Sequence, residues 1–233
     1  MKLSIIIPTY NERKTILEIL KRIERVDLGL DKEIIIVDDC STDGTIEILN
    51  ELDKNKYQIV FKNKNEGKGA SIKAGLTRAR GDFVIFQDAD LEYDPIDYLV
   101  LLEPLKTGKA ELAIGSRVLS GSMQLFGSNR ANFSSYLGCV LIAFAINLLY
   151  GREGTDYYGC YKAFRRGILE NISVKANGFE YDSELLCKLF KQGVKTVEVP
   201  TTYHPRSHDA GKKISWYHGF AVLFSIVRWR FFN

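Results

Sequence analysis

Apolar and polar positions come in repeating blocks along this chain: a short apolar run, a polar loop, then an amphipathic stretch. Leu3-Ser4-Ile5-Ile6-Ile7 is β-branched and apolar, and Pro8, which cannot donate to a sheet ladder, ends it. After Thr9-Tyr10-Asn11-Glu12, residues Ile16, Leu17, Ile19, Leu20 and Ile23 recur at helical spacing, with Glu18, Lys21, Arg22 and Glu24 outside. Ile34-Ile35-Ile36-Val37 is a second buried strand ending in Asp38-Asp39. Ser41-Thr42-Asp43-Gly44 then supplies cap residues for a helix through Ile46, Ile48, Leu49 and Leu52. A third unit runs from Ile59-Val60-Phe61 through Asn65-Glu66-Gly67-Lys68-Gly69-Ala70 into a helix carrying Ile72, Ala74 and Leu76. A fourth apolar run, Phe83-Val84-Ile85-Phe86, comes after a Gly-Asp break. Such strand-loop-helix repetition predicts βαβ construction with right-handed crossovers and a mostly parallel sheet. Further on, Gly178 to Glu184 opens a helix whose acidic side chains suit its positive end. Val197-Glu198-Val199-Pro200 reads as a short edge strand by its terminal proline.

In such a sheet, ligands bind where the strands end, and the fourth run ends in an acidic segment, Gln87-Asp88-Ala89-Asp90-Leu91-Glu92. Asp88 and Asp90 are spaced so that both reach one hard cation, although a solvated acidic turn has the same composition. Gly67 and Gly69, with Lys68 between them, either open a helix N-terminus to an anion or make a tight turn. No Walker sequence is present, and no Gly-x-Gly-x-x-Gly comes after the first strand, which argues against nicotinamide and flavin dinucleotides.

At 233 residues the chain suits one α/β catalytic domain, residues 1–213, with an appended helix over 214–233. A net charge of only +3 gives no reason to expect nucleic acid. The positive charges gather late, at Arg206, Lys212, Lys213, Arg228 and Arg230, which suits a phosphate or an anionic lipid surface as well as a solvated basic face. Cys40, Cys139, Cys160 and Cys187 lie far apart, and the histidines lack ligand spacing. Reduced thiols in a cytoplasmic protein are the expectation, with no zinc site. The first apolar run is too short for a signal peptide.

Taken together, Pro8-Thr9-Tyr10-Asn11-Glu12, Val37-Asp38-Asp39-Cys40-Ser41-Thr42-Asp43-Gly44-Thr45, Asn65 to Gly69 and Asp88-Ala89-Asp90-Leu91 resemble, in order and spacing, the family 2 glycosyltransferases of GT-A fold. Ile114-Gly115-Ser116-Arg117, Asn129-Arg130, Gly154-Thr155-Asp156 and Tyr161 to Arg166 extend the likeness to the polyprenyl-phosphate branch, the dolichol-phosphate mannosyltransferase type. The resemblance covers about residues 3 to 200. It implies a nucleotide-sugar pocket of Pro8, Tyr10, Glu12, Asp38, Asp39 and Lys68, with Asp88, Ala89 and Asp90 at the diphosphate. Asp88, Asp90 and Glu92 would hold Mg²⁺ or Mn²⁺, Glu92 standing where the branch often has glutamine. Arg117, Arg130 and Arg206 would face an acceptor phosphate, with Asp90, Arg117, Asp156 and Asp182 as the catalytic set. The sequence departs from the branch at Tyr157-Tyr158-Gly159-Cys160, which alters the expected acceptor pocket.

The implied activity is inverting, metal-dependent transfer of a hexose, mannose or glucose, from a GDP- or UDP-linked donor to a polyprenyl phosphate. Alternatives are a soluble relative acting on a sugar or protein hydroxyl, and a non-catalytic nucleotide-sugar-binding module that docks partners. Phe133 to Tyr150 carries no charge over eighteen residues, long enough to be flagged as a membrane span. A crossing there would put Asp156 and Arg206 on the opposite side from Asp88, so the stretch is read as packing on the domain or lying in the interface. Ile214 to Phe232 places Trp216, Phe220, Phe224, Val227 and Phe231 near one helical face, apart from Arg228 and Arg230. That suits peripheral contact with the inner membrane face, though aromatics at such spacing also serve cores and homo-oligomer contacts.

Overall fold

The computed structural model describes residues 1–123, 133–205 and 217–232. Each apolar run of the first ninety residues becomes a strand: β1 (Lys2–Thr9), β2 (Asp31–Asp38), β3 (Tyr57–Phe61) and β4 (Phe83–Phe86). Helices α1 (Ile16–Arg25), α2 (Thr45–Asn50) and α3 (Lys68–Leu76) connect them. The second half adds α4 (Tyr98–Lys106), β5 (Leu112–Ser116), α5 (Phe133–Tyr150), β6 (Lys162–Arg165), α6 (Gly167–Glu170), α7 (Tyr181–Lys191), β7 (Thr196–Pro200) and α8 (Tyr217–Phe231). The strands form one seven-stranded sheet in the order β3-β2-β1-β4-β6-β5-β7.

Pairing is parallel throughout except at β6, which runs against both β4 and β5. This exception decides what the site contains. β4 and β5 are each antiparallel to β6, so they point the same way, and the carboxyl ends of β1, β2, β4, β5 and β7 share one edge of the sheet. The beginning of β6 lies on that edge between β4 and β5. Hydropathy does not mark β6 as a strand, because Lys162 and Arg165 interrupt it.

Both faces of the sheet are covered, as the uninterrupted apolar strands require. Alternate residues feed opposite layers: Leu3, Ile5, Ile7, Ile34 and Ile36 pack with α1 and α4 on one side. Ile6, Ile35, Val37, Val84 and Phe86 pack with α3, α5, α7 and α8 on the other. Each such fully buried Ile or Phe contributes about 1.5–3 kcal/mol by leaving water. The second layer includes the carboxyl-terminal helix: Val222, Ile226 and Trp229 are buried, the Tyr150 hydroxyl donates to the Ile226 carbonyl at 2.8 Å, and the Lys188 ammonium lies 4.1 Å from the Trp229 ring. The face with Phe224, Val227 and Phe231 points outward. Among the described residues, no helix is long and apolar enough to cross a membrane.

Candidate active site

Loops leave the shared edge under local constraint. Among the described residues, the non-glycine positions with positive φ are Asn11 (54°), Cys40 (65°) and Leu91 (65°), one each just beyond β1, β2 and β4. Backbone strain of this kind persists only where surrounding contacts enforce it. Asp38 is wholly buried and accepts from the Ser41 amide at 2.9 Å and from its hydroxyl at 2.5 Å. Ser41 Oγ in turn accepts from the Asn11 amide at 2.9 Å, and Asn11 Oδ1 accepts from the Thr42 amide at 2.7 Å. The Glu12 amide donates to Thr45 Oγ1 at 3.0 Å, and its carboxylate accepts from Thr15 Oγ1 at 2.8 Å. The β1 and β2 loops are thereby stitched into one surface, on which Pro8 and Tyr10 are only partly buried.

Asp39 has a different job. Its carboxylate accepts from Lys62 Nζ at 2.5 Å and from the Glu66 and Gly67 amides at 3.0 and 2.7 Å, so it fixes the loop that leads into α3. The glycines there answer close packing: a Cβ at Gly67 would lie 2.6 Å from the Asn177 carbonyl, and one at Gly69 2.6 Å from Tyr181 Cβ. With the Glu66 and Gly67 amides taken by Asp39, and the Ala70 amide by the Asn177 carbonyl at 3.1 Å, the tight-turn reading of this loop gains over the open anion cradle. What the turn presents is Lys68.

Lys68 Nζ stands 2.6 Å from Asp88, both side chains mostly buried at 18% and 23% exposure. Burial alone raises a carboxyl pKa, but the charge and hydrogen bond of Lys68 outweigh it and hold Asp88 below the usual range. Behind the turn, buried Gln87 accepts from the Tyr98 and Tyr161 hydroxyls at 2.6 and 2.8 Å, which anchors the end of β4. Ala89 is buried. The left-handed bend at Leu91 lets the Glu92 amide donate to Asp90 Oδ1 at 3.0 Å. The Glu92 carbonyl accepts from the His204 amide at 2.8 Å, and its carboxylate bonds the Tyr203 hydroxyl. The three-carboxylate set anticipated from the sequence is therefore not gathered: among the described residues no group of three or more His, Cys, Asp or Glu side chains stands ready for a metal. Asp88 and Asp90 remain a suitable donor set, since Mg²⁺ and related hard ions bind through one or two carboxylates plus substrate phosphates.

Two strands further along the edge, about 10 Å at the usual strand spacing, β5 delivers Arg117. Its guanidinium is clamped by the fully buried Asp156: Nε donates to Oδ2 at 2.6 Å and an Nη to Oδ1 at 2.9 Å, with the Arg117 amide adding a bond to Oδ2 at 3.2 Å. Burial opposes ionisation of Asp156, and the Arg117 charge overcomes it, holding the carboxyl below its ordinary value. Arg117 also lies 5.2 Å from the Tyr203 ring centroid. Beneath the pair is Glu198 of β7, which accepts from the Thr155 amide and hydroxyl at 2.9 and 2.8 Å and from the Asp156 amide at 2.7 Å. Asp182, in the first turn of α7, sits 3.7 Å from the buried Lys162 ammonium. Arg130 and Arg206 lie outside the described residues.

The structure thus brings Asp38, Lys68, Asp88, Asp90, Asp182, Asp156 and Arg117 along one sheet edge, with the Glu92 carboxylate on the Tyr203 hydroxyl. It adds Lys62 and Glu198, and it gives structural roles to Gln87 and Lys162, which lie inside quoted motifs without an assigned role. The available signal was a lone charge on an apolar strand, as in Val197-Glu198-Val199 and Tyr161-Lys162-Ala163-Phe164. The departure at 157–160 splits in two: Tyr157 is buried against Phe190, ring centroids 5.6 Å apart, while Tyr158 remains by the cleft residues.

Comparison with known proteins agrees with this geometry. Residues 4–173 match the model of glycosyl transferase family 2. The dolichol-phosphate mannosyltransferase of Pyrococcus furiosus is 34% identical over 215 residues, 91% of this chain and 59% of that protein. The polyprenol monophosphomannose synthase of Mycolicibacterium smegmatis is 30% identical over 241 residues, 97% of this chain and 85% of that protein. The chain thus spans 59% and 49% of the lengths of the Pyrococcus enzyme and of a Haloferax volcanii hexosyltransferase of low-salt glycan biosynthesis. Among solved structures, glucosyl-3-phosphoglycerate synthase of Mycobacterium tuberculosis, crystallised with Mn²⁺, UDP and phosphoglyceric acid, superposes with a TM-score of 0.73 at 20% identity, covering 100% of this chain and 79% of that one. A shared mixed sheet of GT-A type, the ordered motifs along its edge and the matched family model place the chain in family 2 of the glycosyl transferases.

Proposed function

We propose that the protein transfers a hexose, with inversion, from a GDP- or UDP-linked donor to a polyprenyl phosphate at the inner membrane face. The observation that carries this reading is the order of charges on the sheet edge: Asp88 paired with Lys68 at the end of β4, Asp90 two residues on, and a fixed arginine two strands on at β5. That is the layout required by a reaction joining two phosphorylated substrates through one sugar carbon. The relatives named dolichol-phosphate mannosyltransferase and polyprenol monophosphomannose synthase support the substrate classes.

In this reading Pro8, Tyr10, Glu12 and Asp38 form the base and ribose pocket, and Asp39 shapes it by holding the Lys68 loop. Asp88 and Asp90 would hold Mg²⁺ or Mn²⁺, which supplies positive charge to the departing diphosphate. Lys68 adds a cation on the same side. An acceptor phosphate oxygen forms the new bond to the anomeric carbon, and the bond from that carbon to the diphosphate breaks with its electrons leaving on the nucleotide. A lipid phosphate has a second pKa of about 6, so the nucleophile arrives ionised and needs no general base. The task left to the protein is to hold two anions together. Arg117 does so from β5 with its charge and the terminal nitrogen that Asp156 and Cys139 leave over, with Arg130 and Arg206 as further contributors; Asp156 orients Arg117, and Asp182 sits beside the reacting centre.

Membrane contact is assigned to α5 and α8, which pack side by side. Leu137, Leu141, Phe144 and Leu148 on α5, and Phe224, Val227 and Phe231 on α8, are exposed together, and exposed Arg228 and Arg230 flank them. Apolar residues rimmed by arginine suit the headgroup boundary of an anionic bilayer.

The test is to incubate the protein with polyprenyl phosphate in anionic vesicles and a panel of labelled nucleotide sugars, then extract with organic solvent. Label entering the lipid phase, lost with a chelator, is the expected result; label appearing only in water-soluble products would overturn the acceptor assignment. Phe144→Ser with Phe224→Ser should reduce vesicle co-flotation several-fold while leaving thermal stability nearly unchanged, as both side chains are already exposed.

A further inference from the structure

We propose that the Tyr158 hydroxyl and Asp182 Oδ1 form the subsite that reads hydroxyl groups of the transferred hexose, with Lys162 as its positioning residue. The proposal rests on the donor reading above and deepens it.

Tyr158 Oη and Asp182 Oδ1 are both shut off from solvent, and neither has a hydrogen-bond partner among the described residues. A buried polar atom left so costs about 1–3 kcal/mol, and here two belong to different elements that meet at the same edge. Tyr158 is in the loop before β6, its amide donating to Asp156 Oδ1 at 3.1 Å. Asp182 is in the first turn of α7, next to Tyr181, whose Cβ abuts Gly69 at the start of α3; that contact brings Asp182 beside Lys68 and hence beside Asp88. Lys162 ties the two elements: its wholly buried ammonium donates to the Gly159 carbonyl and lies 3.7 Å from Asp182 Oδ2. One carboxylate oxygen is held and the other is left over.

The chemistry of the leftover pair selects its ligand. Asp182 Oδ1 only accepts, so it repels a phosphate and welcomes an O–H. The Tyr158 phenol both donates and accepts, and burial together with the Asp182 charge pushes its pKa up to about 12, keeping the proton in place. A donating site and an accepting site close enough to feel each other's charge complement the hydroxyls of a sugar, each of which gives one hydrogen bond and takes another. Strand order agrees: with the nucleoside at β1 and β2 and the diphosphate at β4, the position beside β6 falls to the hexose. An ionised acceptor needs no base, which leaves Asp182 free for this use. Anchoring α7 electrostatically would require a charge near its first turn but not a solvent-excluded Oδ1, nor a matching orphan on Tyr158.

The experiment compares donors with their deoxy analogues. GDP-mannose and UDP-glucose are tested for transfer, and the active one is set against its 2-, 3-, 4- and 6-deoxy forms in wild type, Tyr158→Phe, Asp182→Asn and Lys162→Met. Wild type should reject at least one analogue by about tenfold or more in kcat/KM, as sites built around a substrate hydroxyl do. Tyr158→Phe and Asp182→Asn should each reduce that rejection severalfold, while inhibition by the free nucleoside diphosphate stays at its wild-type level. Lys162→Met should do so more weakly and through KM. If Tyr158→Phe and Asp182→Asn keep the full wild-type discrimination, or alter only the KM for lipid phosphate, the subsite is refuted while the donor reading stands. A wild type that binds neither nucleotide sugar refutes the donor reading and the subsite together.

Discussion

The two halves of the cleft are built on opposite terms. On the side of β1, β2 and β3, the carboxylates are engaged by the protein itself: Asp38 by Ser41, Asp39 by Lys62 and two amides, Glu12 by Thr15. On the side of β5, β6 and β7, a clamped Arg117–Asp156 pair stands among buried oxygens with no partner among the described residues, at Tyr158, Asp182 and Thr201. A satisfied network fixes a shape, whereas unsatisfied buried groups reserve their hydrogen bonds for something else. On the function proposed above, the contrast assigns the nucleotide to the surface finished in advance, and the sugar and its recipient to the one left incomplete.

The largest expected effect breaks the boundary between the halves. Asp88→Ala removes both an acidic donor for a cation and the partner of Lys68, and kcat/KM should fall on the order of 10²–10³-fold, several kcal/mol of transition-state stabilisation. Calorimetry should show that metal no longer strengthens nucleotide binding; unaltered binding would remove Asp88 from the donor side. Next comes Asp156→Ala, which strands the Arg117 guanidinium in a buried site and should cost about 3–5 kcal/mol in urea unfolding. The same pair predicts an acid limb. Asp156 titrates lower folded than unfolded, so its contribution is whole above the ordinary aspartate range and disappears as pH drops through the depressed folded value. Asp156→Asn should flatten the fall in stability over that interval, and an identical acid profile would show the pair to be energetically silent. The smallest effect sharpens the comparison: Glu198→Gln keeps the shape but weakens the support under Asp156. It should raise the KM for lipid phosphate about three- to tenfold, roughly 1 kcal/mol, without changing nucleotide inhibition.

The difference between the halves also explains what could be read from the sequence. The β1–β3 half is written in local terms, because its strands are uniformly apolar and its loops carry their chemistry within a few residues of each strand end. β1, β2 and β4, the α5 limits and the Asp88–Asp90 stretch were all legible. The β5–β7 half is assembled from contacts across long intervals. Glu198 meets Thr155 and Asp156 forty-odd residues away, and Lys162 makes β6 look too polar to be a core strand until Asp182 is placed beside it. Nor could sequence distinguish neighbouring Tyr157 and Tyr158, which both pack against the second core layer, the first with its hydroxyl bonded to Asn147 and the second with its hydroxyl left without a partner among the described residues. Glu92 shows the same limit, since its bond to the Tyr203 hydroxyl joins positions far apart in the chain.

The reversed course of β6 carries a consequence for how such an enzyme diversifies. Since this strand begins where its neighbours finish, lengthening or shortening the connector ahead of it displaces Asp156 through Tyr161 across the mouth of the cleft, yet leaves the register of β1, β2 and β4 untouched. On the proposed function, appetite for a new recipient or a new sugar would come from edits to one hairpin-like approach, with the nucleotide surface at β1 and β2 left as it is.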